Sequence, residues 1–207
     1  MPKSSSKPER RSWTRRYRIG GGVVVFAALV AVAAVVRRAP ASTQSAPDPT
    51  LSIVANLEVR TLYLKVGDST VASYPVAIGS AKYPTPRGQY SVRKIIWNPA
   101  WVPPDRDWAR DKVPQPPGAR ANPMKLVKIF FREPAYYIHG TGDVESLGDA
   151  ASHGCLRMDP DDAYRVARYL MENGGQPREE AWYRRILTFR RETKTVYLDA
   201  PTPMTVE

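Results

Sequence analysis

The sequence predicts a mainly β domain with one or two peripheral helices, preceded by a single N-terminal transmembrane helix. Three features of the chain carry this expectation. An uncharged run near the N-terminus is long enough to cross a bilayer. Short runs rich in Val, Ile, Leu and Tyr alternate with turn residues from 51 to about 90. A later stretch has the caps and apolar stripe of a well-formed helix. With 207 residues, 43% of them apolar and 25% charged, the chain has a globular composition rather than a disordered one. Its net charge of +11 would raise nucleic acid as a partner. However, the first 39 residues hold nine basic side chains and one acid, so residues 40–207 balance to only +3, and no nucleic-acid partner is expected.

The N-terminal region divides by composition. Residues 1–19 are basic and are read as cytoplasmic, because seven Lys and Arg precede the apolar run while only Arg37 and Arg38 directly follow it. Residues 20–36 form an uninterrupted uncharged run of 17, at the short end for a transmembrane anchor. A cleaved signal peptide is the rival reading, but Arg37 and Arg38 stand where small residues should precede the cut. A lipid anchor would need a Cys near the end of the run, and none is there. Residues 37–50, rich in Ala, Pro, Ser and Thr, read as a flexible tether, and residues 51–207 as the folded domain. The chain is therefore expected to be a single-pass membrane protein with its folded domain outside the cytoplasm.

Within the domain, breaks at Gly67-Asp68 and Gly79-Ser80 separate successive antiparallel strands. Thr85-Pro86-Arg87-Gly88 reads as a β-turn leading into a strand from Gln89 to Ile96. Residues 97–123 contain seven Pro and three Trp, which excludes long regular elements and suggests an ordered flap. Trp97, Trp101 and Trp108 there are either a substrate wall or, as the preferred reading, buried; Tyr83 and Tyr136 are undecided in the same way. Strands follow at Lys125 to Phe131 and Ala135 to His139. Asp159 as N-cap, Pro160 at the first helical position and Asp161 and Asp162 in the first turn begin a helix. Its stripe is Ala163, Val166, Ala167, Leu170 and Met171, and Asn173-Gly174-Gly175 ends it. A shorter helix from Pro177 to Leu187 presents Trp182, Ile186 and Leu187, and Thr195 to Leu198 returns as a strand.

Both histidines and the single cysteine fall within 17 residues: His139 at a strand end, then Ser152-His153-Gly154-Cys155 in a glycine-containing loop. One cysteine excludes an intramolecular disulfide, and an unpaired thiol outside the cytoplasm is an oxidation liability unless it serves as a nucleophile. Its thiolate needs a nearby imidazole or other positive group, which His139 or His153 can supply. The alternative is zinc held by His139, His153, Cys155 and Asp143. Against it, His153 and Cys155 are only two apart on one loop, and neither a second Cys nor an HExxH helix supports such a site. The preferred reading has no metal and no cofactor.

Ile138-His139-Gly140-Thr141, Ser146-Leu147-Gly148 and the block from Ser152 to Met158, SHGCLRM, resemble the signature of the YkuD-type L,D-transpeptidases. Thr85-Pro86-Arg87-Gly88 is similar to that family's TPxG turn, with Arg87 in place of the usual small residue. Trp101-Val102-Pro103-Pro104 and Asn122-Pro123-Met124 resemble blocks found in some members. The resemblance covers roughly residues 51–200. It implies a β-sandwich or barrel-like catalytic domain that acts on peptidoglycan stem peptides. It further implies Cys155 as nucleophile, His139 as general base and Gly140 as the backbone group orienting His139. Backbone N–H groups around Gly154 and Cys155 would form the oxyanion hole, and Ser152, His153 and Arg157 would be substrate-binding residues. An L,D-carboxypeptidase on the same scaffold and a non-catalytic or zinc-containing wall-binding protein stay open as alternatives. Nothing in the chain specifies an oligomeric state.

Overall fold

The first β elements follow the alternation of the sequence. β1 (Leu51–Asn56) pairs antiparallel with β2 (Thr61–Val66), and β2 with β3 (Ser69–Pro75), in a meander whose inward residues Ile53, Ala55, Leu62 and Leu64 are buried. These coordinates are a computed structural model that describes residues 50–189 and 192–207. The expected cytoplasmic segment 1–19, the anchor 20–36 and the tether 37–49 lie outside the described residues. Among those described, no helix is long and apolar enough to cross a membrane.

One eight-stranded sheet organises the domain. It also contains β4 (Gly88–Trp97), β5 (Val127–Arg132), β6 (Tyr136–Gly140), β7 (Leu156–Met158) and β8 (Lys194–Val206), in the order β3-β2-β1-β8-β4-β5-β6-β7. The segment after β3 joins the two edges: Ala77 pairs with Arg157 of β7, and Gly79 bridges to Ser152. The sheet therefore curls toward closure, which gives it a barrel-like form.

The strands from 51 to 75 form the expected antiparallel meander, while β1 runs parallel to β8 and β6 parallel to β7. Two expectations are corrected. Residues 85–87 form no turn before β4. Instead the Thr85 hydroxyl accepts the Gly79 N–H at 2.8 Å, and the Tyr90 hydroxyl donates to the carbonyls of Pro86 and Arg87. The last strand extends well past Leu198, through Pro201 and Pro203 to Val206. Pro201 falls where the pairing with β4 jumps from Tyr197 to Thr202, and in that bulge the Asp199 and Ala200 N–H groups donate to the Gly174 carbonyl, whereas Pro203 is paired opposite Ser91. β7, the three residues directly after Cys155, has no sequence signal of its own, because three residues carry too little alternation to announce a strand.

The helix α1 (Pro160–Asn173) matches its sequence signals. The Asp159 carboxylate accepts the N–H groups of Asp161 and Asp162, and Ala163, Val166, Ala167, Leu170 and Met171 are fully buried. α2 (Glu180–Phe189) starts later than expected and buries Tyr183 and Ile186, with Trp182 half-buried. Trp97 is the centre of this core. Its indole N–H donates to the Met171 sulfur at 3.1 Å, and it meets Tyr164, Trp182 and Tyr183 edge-on.

Candidate active site

Alternation along three adjacent strands builds the site. On β5, β6 and β7, the residues Ile129, Phe131, Ile138, Leu156 and Met158 point into the core and are buried. Their neighbours Lys128, Phe130, Tyr137, His139, Cys155 and Arg157 all line a cavity of about 1050 Å³ on the opposite side. Register makes them neighbours across the sheet: Lys128 is opposite His139, Phe130 opposite Tyr137, and His139 opposite Arg157. Cys155 enters one residue before β7 begins, which puts it beside Tyr137.

His139 is buried, with 4% of its surface exposed, and its Nδ1 lies 2.7 Å from the Gly140 carbonyl oxygen. A carbonyl only accepts, so Nδ1 carries the proton and Nε2 is the basic nitrogen. Burial pulls the ring down to about 4, helped by the Arg157 and Lys128 charges and opposed by the Gly140 and Pro123 carbonyls. Gly140 has no room for a side chain: a Cβ there would lie 3.0 Å from Pro160 Cα and 3.1 Å from Lys125 Cβ.

Cys155 is half-buried and its thiol faces the Ala135 carbonyl at 3.5 Å. Burial pushes the thiol up to about 11, while the Tyr137 N–H and hydroxyl and the Lys128 and Arg157 charges pull it back. The two groups share the cavity, but no hydrogen bond joins Cys155 to His139 among the described residues. At neutral pH the arrangement is therefore an uncharged thiol beside an uncharged imidazole.

The loop ahead of Cys155 is built by its own polar groups. The Ser152 hydroxyl donates to the Cys155 carbonyl at 2.6 Å and accepts the Gly154 N–H at 3.0 Å. Ser152 is 2% exposed, lines the cavity, and uses its hydroxyl to shape the loop. The Gly154 N–H is already taken, which leaves the Cys155 N–H, with no acceptor among the described residues, as the free backbone donor. Glycine is required at 154 for shape, since φ is +106° and a Cβ would sit 2.9 Å from the Tyr136 ring.

His153 also lines the cavity. It stacks on Trp108 with centroids 4.0 Å apart at 16° and meets Tyr83 at 5.0 Å. Trp108 belongs to the 97–123 segment, so this stack closes the proline-rich flap onto the nucleophile loop. Trp101 is 7% exposed and also lines the cavity, as do Tyr83 and Tyr136, whereas Trp97 belongs to the core. Arg157 Nη1 lies 3.9 Å from Asp143 Oδ2, a loose pair with the carboxylate largely in solvent. The four groups considered for zinc thus face different partners, and no three His, Cys, Asp or Glu among the described residues converge as a metal site.

Lys128 and Tyr137 were not singled out from the sequence. Tyr137 was legible in principle, two residues before His139 on one strand and so on the same face. Lys128 depends on the β5–β6 register, which no local pattern reveals.

A family model described as the YkuD L,D-transpeptidase catalytic domain matches residues 51–193. The chain is similar to the probable L,D-transpeptidase ErfK/SrfK of Salmonella typhimurium, 36% identical over 129 residues that make up 58% of this chain and 40% of that protein. It is also similar to the putative L,D-transpeptidase YkuD of Bacillus licheniformis, 32% identical over 122 residues, 59% of this chain and 61% of that protein. The matched region thus spans 40% to 61% of the length of these relatives. Among solved structures, an L,D-transpeptidase from Mycobacterium smegmatis aligns with a TM-score of 0.47 and 20% identity, over 77% of this chain and 59% of that one. The matching model covers most of the chain and takes in β1 through α2, including the cavity-facing strands β5 to β7; the chain belongs to the YkuD family of L,D-transpeptidase catalytic domains.

Proposed function

We propose that the chain is a peptidoglycan L,D-transpeptidase, held at the outer face of a membrane by residues 20–36, and that Cys155 is its nucleophile. The observation that carries this reading is the meeting of His139 and Cys155 in one cavity on the same face of β6 and β7. Sγ attacks the carbonyl of the L,D bond before the terminal D-Ala of a tetrapeptide stem. The thiol is held up near 11 by burial, so its proton stays on sulfur until the S–C bond forms and then passes to His139 Nε2. In doing so the thiol turns from the Ala135 carbonyl toward the imidazole.

The Gly140 carbonyl fixes the ring and stabilises the imidazolium that forms. The Cys155 N–H donates to the developing oxyanion, an interaction whose loss typically costs about 10²–10³ in rate. Breakage of the C–N bond releases D-Ala, whose amine takes the proton from His139. An acceptor amine then attacks the thioester, His139 takes the amine proton, and the C–S bond breaks as the leaving sulfur takes that proton from His139, restoring the thiol and the neutral imidazole. Arg157, with only a distant carboxylate partner, binds a carboxylate of the stem.

The test incubates the full chain and its Cys155→Ala form with a disaccharide tetrapeptide and reads protein and products by mass spectrometry. A Cys155-dependent stem adduct, D-Ala release and peptide dimers are expected. Release of D-Ala with tripeptide and no dimers would make the protein a carboxypeptidase. Absence of both adduct and release would overturn the acyl-transfer reading. Membrane anchoring is tested separately: the protein should stay with membranes through high-salt and carbonate washing, and a soluble species shortened at its N-terminus would indicate a cleaved signal.

A further inference from the structure

The cavity is charged far out of proportion to the domain that contains it. Lys82, Arg106, Arg120, Lys125, Lys128 and Arg157 line it, against one acid, Asp143. That is a local balance of +5 in residues 40–207 that total +3, so everything outside the cavity balances to −2. Among the described residues, five of the six cations have no carboxylate within ion-pair distance, the loose Arg157–Asp143 contact being the exception. Where the others find partners, those are neutral: Lys125 donates to the Arg120 carbonyl at 3.0 Å, Lys128 to the Ala100 carbonyl at 3.5 Å, and Lys82 lies over the Tyr83 ring at 5.3 Å.

Lys128 stands out among them. It is half-buried on the sheet, across from His139, with its ammonium 4.9 Å from the centre of the Tyr137 ring. A desolvated cation without an anionic partner is costly, and its burial indeed lowers its proton affinity. An anionic ligand would fit this balance: the concavity is open, six cationic residues line it, and low-dielectric walls strengthen their pull.

We infer that this cleft selects an anionic donor, a stem peptide whose side carboxylates are free rather than present as carboxamides, with Lys128 as a specificity-determining residue. This rests on the proposed transpeptidase activity only for the identity of the donor; the preference of the cleft for anions stands apart from it.

Two measurements on the full chain separate these parts. The first compares alkylation of Cys155 by iodoacetate and by iodoacetamide, reagents of similar size but different charge. Both report the same thiolate fraction, so it cancels from the ratio. Relative to mercaptoethanol, the iodoacetate-to-iodoacetamide ratio should be about tenfold higher at low salt and collapse near 1 M salt. Lys128→Gln should lower it by about threefold or more. A ratio equal to that of mercaptoethanol at low salt overturns the inference.

The second compares D-Ala release from a tetrapeptide donor with free carboxylates and from its carboxamide form. A kcat/KM at least about tenfold higher for the free acid is expected, with the gap narrowing in Lys128→Gln. Equal rates overturn the donor assignment while leaving the transpeptidase reading intact. A high alkylation ratio with release from neither donor overturns the transpeptidase reading and leaves the cleft an anion-selective one.

Discussion

The two faces of β5, β6 and β7 share a backbone and differ in everything else. One face carries Ile129, Ile138, Leu156 and Met158, all with no exposed surface, and contributes only packing. The other carries Lys128, Tyr137, His139, Cys155 and Arg157, which line the cavity, and there burial lowers the proton affinity of Lys128 and His139 and raises that of Tyr137 and Cys155. The comparison teaches that the site's electrostatics are a consequence of partial burial on a face the core does not need. The sheet supplies rigidity through one set of side chains and reactivity through the set offset by one residue.

Adjacent positions allow the sharpest test of this division. Cys155→Ala should lower turnover by about 10⁴-fold or more while changing stability by under about 1 kcal/mol. Its neighbour Leu156→Ala should do the reverse. It should cost about 2–5 kcal/mol by urea unfolding, with near-normal activity per folded molecule. If Leu156→Ala instead disabled the folded enzyme at constant stability, the two faces would not be separable.

His139 links the faces through pH. Its folded value of about 4 lies below the ordinary 6.5, so at pH above 6.5 it is neutral in both states and has no effect on stability. As pH falls from 6.5 toward 4, the unfolded chain takes the proton first and stability is lost, by about 2–3 kcal/mol near pH 4.5. His139→Gln should therefore show a shallower decline between pH 7 and 4.5 in the urea midpoint. Equal slopes for the two proteins would mean that the ring is not held neutral. Kinetically, residual acylation by His139→Ala should rise about tenfold per pH unit as the unassisted thiolate forms, up to near pH 11, and wild type should not. A flat profile in the mutant would remove His139 from the base role.

The smallest effect is expected at the rim. Trp108→Ala removes the stack on His153, worth about 1 kcal/mol, and should lower Tm by about 2–4 °C. It should raise KM more than it lowers kcat, because the flap is no longer fastened over the nucleophile loop. Loss in kcat alone would mean that His153 acts beyond this contact.

Much of the domain was legible because local rules determine it. Asp159, Pro160 and the stripe from Ala163 to Met171 specify α1 without reference to anything else, since capping and a 3.6-residue period are properties of the segment itself. Clustering of both histidines with the lone cysteine marked the region of the site for the same reason. The local pattern says nothing where partners lie far along the chain. The parallel pairing of β8 with β1 joins residues about 150 apart, and the Pro-containing end of β8 is a strand because it pairs with both β4 and β1, while Gly174 accepts the N–H groups its bulge leaves over. Gly154 shows the limit within a single loop: glycine there was readable, but the capture of its N–H by Ser152 was not.

The sequence by itself determined the helix, the run of strands and the rare residues from which the site is built, because periodicity, capping and composition act over a few neighbouring positions. Tertiary structure alone decided that Lys128 sits opposite His139, that the Cys155 N–H is the donor left free, and that the domain's positive charge gathers in one cleft. Those depend on strand register, and register is settled by how the whole sheet buries its other face.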